Sequence, residues 1–197
     1  MKCLRFVLSV VLLSLSTVAI AQSNAQKSSV APVPSEAQKS FDAMKTLAGE
    51  WEGRVNVPEV PEMSGGQPMH VSLRVTSRGN ALVHEMQEAG TPLDARKYDH
   101  PVTMLYLDGD QLTLIHYCDA GNRPRMTGKM SPDGKTVDFE FVDVTGKNLH
   151  QHMHHSLFTF IDANHHAEDW TFMMGEKLIH AHFDLQRAKG GGGVSGK

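Results

Sequence analysis

Ten segments of alternating apolar and polar residues, joined by short turn sequences, occupy most of the chain. Alternation with a period of two is typical of β-strands that bury one face. Turn sequences such as those at residues 78–80, 108–110 and 145–147 contain glycine beside polar residues and predict hairpins. The predicted strands are 50–57, 69–77, 81–88, 102–107, 111–118, 124–130, 136–143, 148–161, 165–173 and 177–186. Because closure of such a meander removes its edges, we predict an all-β fold: a single antiparallel up-and-down β-barrel of about ten strands.

A short helix is predicted at residues 35–48, before the first strand. Ser35 is a favourable N-cap, and Phe41, Met44 and Leu47 recur at helical spacing. Gly49 is expected to end the helix. Two connections, 58–68 and 89–101, are longer than the hairpin turns, and we expect them to lie at the mouth of a barrel and to gate a pocket.

The first 21 residues have the three parts of a secretory signal peptide. Lys2 and Arg5 precede an apolar run at 6–20, and small residues at 19 and 21 form a cleavage site. The run is shorter than the roughly 20 residues that span a bilayer. We therefore expect export to the periplasm or the medium and no membrane span after cleavage. The remaining chain is predicted to be a flexible leader at 22–34, the barrel domain at 35–188 and a disordered glycine-rich tail at 189–197.

Composition narrows the classes of function. The chain has 19 basic and 22 acidic residues and lacks a long basic run, which argues against a nucleic-acid partner. Only Cys118 remains after signal cleavage, so an intramolecular disulfide cannot form. No nucleophile motif surrounds this cysteine, and we expect a buried, unreactive thiol and no catalytic residues.

The motif at residues 49–53, Gly-Glu-Trp-Glu-Gly, resembles the Gly-x-Trp entry of calycin (lipocalin-like) barrels and the Gly-x-Trp-x-Gly form of nitrobindin-type ten-stranded barrels. The stretches 116–118, 121–126 and 152–154, together with Trp170, resemble secreted bacterial lipocalin-like proteins of unknown function. The resemblance covers residues 41–187 and implies a calycin barrel with Trp51 at its closed end. The nitrobindin-like resemblance implies haem held by His180 or His182.

The favoured hypothesis is an exported barrel that binds a small, largely apolar molecule, since binding pockets are mostly apolar with a few placed polar groups. The predicted ligand-binding residues are Trp51, His84, Tyr106, His116, Cys118, Arg125, Phe158 and Trp170.

Twelve histidines support a second hypothesis. Each of two His-x-His pairs places two imidazoles on one strand face, and imidazoles with a carboxylate suit Zn, Cu or Fe. The predicted metal ligands are His152, His154, Glu168, His180 and His182. Of the three hypotheses, this metal- or haem-binding barrel is the one that includes a possible enzyme. The third hypothesis is a packed structural or interaction module without a ligand, and the oligomeric state stays open.

Overall fold

A computed structural model describes residues 33–66 and 68–189. The predicted signal peptide, most of the predicted leader and the tail from residue 190 onward lie outside the described residues. Within the part that is described, no helix has the length and apolar character needed to cross a membrane.

The strands form one closed antiparallel barrel. Each strand pairs with its neighbours in sequence, and β1 pairs with β10 to close the sheet. The strands are β1 (Gly49–Asn56), β2 (Met69–Thr76), β3 (Ala81–Glu88), β4 (Val102–Asp108), β5 (Gln111–Tyr117), β6 (Asn122–Met130), β7 (Thr136–Gly146), β8 (Gln151–Asp162), β9 (His165–Met174) and β10 (Lys177–Arg187). The predicted all-β up-and-down barrel is therefore confirmed.

The helix α1 (Glu36–Lys45) closes one end of the barrel. Ser35 caps it by accepting a hydrogen bond from the backbone N–H of Gln38 at 3.1 Å. Its buried residues Phe41 and Met44 belong to the same apolar core as Trp51. The helix ends earlier than predicted because the backbone N–H groups after Lys45 make tight turns to carbonyls three residues back.

The opposite end of the barrel is more open. On β1 the inward side chain of Trp51 is fully buried, whereas that of Val55 is only partly buried. The same change occurs along β2, from Leu73 to Met69, and along β10, from Leu185 to Ala181. Along these three strands the inner wall is thus more deeply buried near α1 than at the other end, where the long connections after β1 and β3 also lie.

Two irregularities in strand pairing alter the side-chain alternation near the open end. One lies on the β6–β7 pair, between Arg125 and Met126. The other lies on β8, where Met153 pairs with Phe172 and His155 pairs with the next residue of β9. His154 is therefore an extra residue in β8, a β-bulge that redirects the side chains around it.

Candidate functional site

A group of buried polar side chains lies inside the barrel. His84 on β3 pairs with Thr103 on β4, which pairs with His116 on β5, so three strands in a row contribute polar residues. On the other side of the barrel, β9 contributes Glu168 and its two neighbours on the inner face, His166 and Trp170. All of these side chains are buried to 2% exposure or less.

Glu168 is the centre of this group. Its carboxylate accepts hydrogen bonds from Nε2 of His84 at 2.9 Å, Nε2 of His166 at 3.0 Å and Nε1 of Trp170 at 2.9 Å. Burial by itself raises the pKa of the Glu168 carboxyl, but the charge of His84 and the hydrogen bonds from both histidines lower it below its ordinary range. The site therefore holds a buried carboxylate surrounded by three N–H donors.

His116 is neutral. Its Nδ1 is hydrogen-bonded to Oγ1 of Thr103 at 2.8 Å. Burial, with a smaller effect from the charge of His84, lowers the pKa of His116 to about 3. An uncharged imidazole can act as donor or acceptor at Nε2, depending on its tautomer.

Several polar atoms in this region have no hydrogen-bond partner among the described residues. They include Nδ1 of His84, Nε2 of His116 and Oγ of Ser156. The indole of Trp170 links them: its ring centroid is 5.6 Å from that of His84 and 5.5 Å from that of His116, and Ser156 is its partner on β8. Each unsatisfied buried group costs roughly 1–3 kcal/mol, which makes this layer a place where a ligand's polar group would stabilise the protein.

Most of the predicted ligand-binding residues are inside the barrel. Trp51, His84, His116, Phe158 and Trp170 are buried there. Two are not. Tyr106 and Arg125 lie on the outer face because their neighbours Leu105 and Met126 occupy the inner one. Arg125 pairs with Asp143 outside the barrel.

Cys118 lies at the open end, in a cleft of about 470 Å³ beneath the β3–β4 connection. The cleft is lined by residues 95–100, Val102 and residues 117–119. Burial raises the pKa of the half-buried Cys118 thiol, and the nearby carboxylates act in the same direction. The thiol is therefore protonated at neutral pH, which disfavours nucleophilic chemistry there.

The five predicted metal ligands do not form a single group. Glu168 faces the interior, whereas His180 and His182 face solvent. The reason is that β10 uses Phe183 and Leu185 for its inner face, which turns the alternate residues outward. A haem ligand at either of these two histidines would likewise lie outside the barrel.

The outward histidines have carboxylate partners instead. Nδ1 of His180 is 2.6 Å from Oε1 of Glu59, and Nδ1 of His182 is 2.6 Å from Oδ1 of Asp169. The contact with His180 lowers the pKa of Glu59 to about 2.

His152 and His154 are brought together at the open end. Nε2 of His152 is 3.3 Å from Nδ1 of His154, and both imidazoles lie against the ring of Phe141, with centroid distances of 4.7 and 4.8 Å. Burial lowers the pKa of His152, although its hydrogen bond to the Leu149 carbonyl opposes this effect.

Three interior polar residues, Thr103, Ser156 and His166, were not among the predicted site residues. The alternation on β9 does place His166 on the face of Glu168 and Trp170, which is a signal for its inclusion. Thr103 and Ser156 are ordinary strand residues, and only the register reveals that they lie in the same layer.

The comparisons with known proteins concern the fold. No family model and no curated protein matches the chain. The crystal structure of Rv2717c from M. tuberculosis is similar with a TM-score of 0.53 at 15% identity, over 76% of this chain and 98% of that one. This likeness shows a shared fold and nothing further.

Two weaker likenesses were also found. A DUF3598 family protein of unknown function from Nostoc punctiforme has a TM-score of 0.38 at 11% identity, over 74% of this chain and 48% of that one. A redesigned beta barrel has the same TM-score and identity, over 75% of this chain and 96% of that one. The fold and the site together define a ten-stranded antiparallel barrel with a group of polar side chains inside its apolar core, a class that could bind ligands.

Proposed function

We propose that this chain is an exported barrel that binds a small, largely apolar molecule at its open end. One observation carries the proposal: a partly exposed apolar inner wall lies above a layer of buried polar atoms that lack partners. The ligand's apolar part contacts the wall, and its polar group reaches the layer around Trp170.

The wall explains the apolar preference. Its partly buried members at the open end come from β1, β2, β8 and β10, so together they line one side of the mouth: Val55, Met69, Met153 and Ala181. Covering them removes apolar surface from water, which stabilises a complex by roughly 25 cal/mol per Å². Methionine side chains also adapt to ligands of different shape.

The layer below explains the need for a polar group. Nε2 of the neutral His116 and Oγ of Ser156 each can donate or accept, whereas a purely apolar ligand would leave them unsatisfied. Both atoms are covered in the structure described, so we propose that side chains at the mouth move when the ligand enters.

Binding can be tested with 1-anilinonaphthalene-8-sulfonate, an apolar fluorescent probe with an anionic group. We expect Ala181→Trp, which fills the mouth, to weaken probe binding at least about 10-fold. Leu178→Trp is the matched control, because Leu178 is exposed on the outer side of the same strand. Equal binding by both variants, or no binding by the wild type, would favour a packed module without a ligand.

Export is the second part of the proposal and rests on the sequence of residues 1–21. The intact mass of the protein recovered from its own periplasm or medium tests it. We expect the mature chain to begin at Gln22. A full-length mass in the cytoplasmic fraction would contradict export. In the same experiment, a native mass exceeding the denatured mass by hundreds of daltons would support an organic ligand.

A further inference from the structure

The turn between β7 and β8 holds a histidine-rich segment at the rim of the barrel's open end. The buried amide of Asn122 donates hydrogen bonds to the carbonyls of Asn148 and Gln151, at 3.1 and 2.5 Å. The amide of Asn148 donates in turn to the carbonyl of Ala120 at 2.8 Å. The carbonyl of His150 accepts from the N–H of Gly175 at 2.7 Å. The backbone carrying residues 150–154 is therefore fixed on two sides.

Within this segment, His152 is held in one orientation and one tautomer. Its imidazole is 4% exposed, and its Nδ1 donates to the carbonyl of Leu149 at 3.0 Å. Because Nδ1 carries the hydrogen, Nε2 presents a lone pair. A histidine that ligates a metal almost always donates its other ring N–H in this way.

The bulge in β8 brings His154 to that lone pair. Residues two apart on a regular strand are separated by roughly 7 Å. Here the extra residue turns the imidazole of His154, so that its Nδ1 lies 3.3 Å from Nε2 of His152. The ring of Phe141 supports both imidazoles, which limits their rotation.

We propose that His152 and His154 bind a Zn²⁺ ion at the rim of the barrel, with His150 as a third ligand and water in the fourth position. Two nitrogen ligands at a Zn–N distance of 2.0–2.1 Å in a tetrahedron are about 3.3–3.4 Å apart, which matches the separation of the two ring nitrogens. His150 lies two residues before His152, and its side chain is exposed and can rotate toward the pair.

Four other histidines on the outside of the barrel, on β8, β9 and β10, differ from this set. His155, His165, His180 and His182 each lie 2.6–2.7 Å from a carboxylate oxygen. The imidazoles of His152 and His154 are instead hydrogen-bonded to each other, and that of His152 is also hydrogen-bonded to the carbonyl of Leu149. The rim site is independent of the proposed ligand site inside the barrel, since metal binding needs no movement of the side chains at the mouth.

The test uses Zn²⁺ in competition with a chromophoric chelator and Co²⁺ as a spectroscopic probe, both on the mature protein without tags. We expect one Zn²⁺ per chain and the intense visible bands of tetrahedral Co²⁺. His154→Gln is expected to weaken Zn²⁺ binding by about 100-fold, because removal of even an outer partner of a metal ligand costs 10–100-fold. His150→Gln is expected to have a smaller effect.

His182→Gln removes one histidine that is hydrogen-bonded to the carboxylate of Asp169 and is the matched control, expected to bind Zn²⁺ like the wild type. Circular dichroism checks the fold of each variant. Equal affinity in His154→Gln and wild type, or the absence of tetrahedral Co²⁺ bands, would overturn the proposal. The affinity of His154→Gln for the fluorescent probe separates the two proposals, since loss of the rim metal leaves the apolar wall of the proposed ligand site in place.

Discussion

The indole Nε1 of Trp170 donates a hydrogen bond to Oε2 of Glu168 at 2.9 Å, although the two residues are neighbours on the same face of one strand. Trp170 also lies against His84 and His116. A single aromatic side chain therefore connects the buried carboxylate to the histidine with the most strongly lowered pKa. The apolar core of the barrel contains a polar network whose parts depend on one another.

Glu168→Ala is expected to destabilise the protein by about 3–5 kcal/mol. Removal of the carboxylate leaves the N–H groups of His84, His166 and Trp170 buried without an acceptor. Urea unfolding monitored by circular dichroism measures the change. Glu140→Ala, at an exposed position on β7, is the control and is expected to change stability by less than about 0.5 kcal/mol. A small effect for Glu168→Ala would mean that the network contributes little.

Acidification is expected to destabilise the barrel through His116. The folded pKa of about 3 lies below the ordinary value of 6.5. Between these values the unfolded chain binds a proton that the folded barrel does not, so stability falls as the pH is lowered. For this residue alone, the loss between pH 7.5 and pH 5.0 is about 2 kcal/mol, since one proton contributes about 1.4 kcal/mol per pH unit.

His116→Gln removes this titration, so its stability is expected to change less than that of the wild type between pH 7.5 and pH 5.0. Unfolding free energies from urea titrations at the two pH values give the comparison. Measurements stay above pH 5 because Glu168, whose pKa is lowered, loses its own contribution below its ordinary value of 4.5. Parallel pH dependence in both proteins would show that His116 is not buried in its neutral form.

The number and order of the strands could be predicted because each strand carries its own signal. Alternation of side chains marks each strand, and glycine-containing turns mark the hairpins, as at Gly109 and Gly134, both of which have a positive φ. Neighbours in sequence then pair, and the pairing of β1 with β10 closes the barrel and removes its edges. All of this information is local.

The site was less predictable because it depends on which face of each strand turns inward and on register. Alternation grouped His180 with His182 correctly but did not by itself decide that this face is outside. Alternation also cannot reveal the bulge at His154, which brings the two rim imidazoles together. The role of Glu168 required the position of β3 relative to β9, two strands that are far apart in the sequence.

The second glycine of the Gly-x-Trp-x-Gly motif, Gly53, is required by the close approach of strand β10. A Cβ at this position would overlap the backbone carbonyl of Asp184 on the paired strand β10. Gly53→Ala is therefore expected to destabilise the protein by at least about 2 kcal/mol, because backbone atoms must shift. Gly66→Ala is the matched control, since a Cβ there has open space and the change should be nearly neutral. Thermal unfolding of both variants tests this difference, and similar melting temperatures would contradict the close approach of β1 and β10.

Trp51 is expected to be the largest single contributor to the closed end. Its side chain is fully buried, its Nε1 donates to the carbonyl of Leu47 at 2.7 Å, and the guanidinium of Arg187 lies 4.1 Å from the ring centroid. The residue thus joins the end of the helix segment to both strands that close the barrel. Trp51→Ala should cost about 3–5 kcal/mol, as expected for a buried large aromatic side chain.

Trp51→Phe separates packing from hydrogen bonding at this position. Phenylalanine keeps most of the buried area but leaves the Leu47 carbonyl without its donor, so a loss of about 1–3 kcal/mol is expected. Arg187→Met tests the remaining contact, since methionine keeps a long apolar side chain over the ring. It removes the cation together with the hydrogen bonds that the guanidinium donates to the carbonyls of Ala163 and Ala48, so a loss of about 1–3 kcal/mol is expected. Urea unfolding of the three variants gives these values. Retention of wild-type stability by Trp51→Ala would show that α1 and the neighbouring apolar residues close the barrel without the tryptophan.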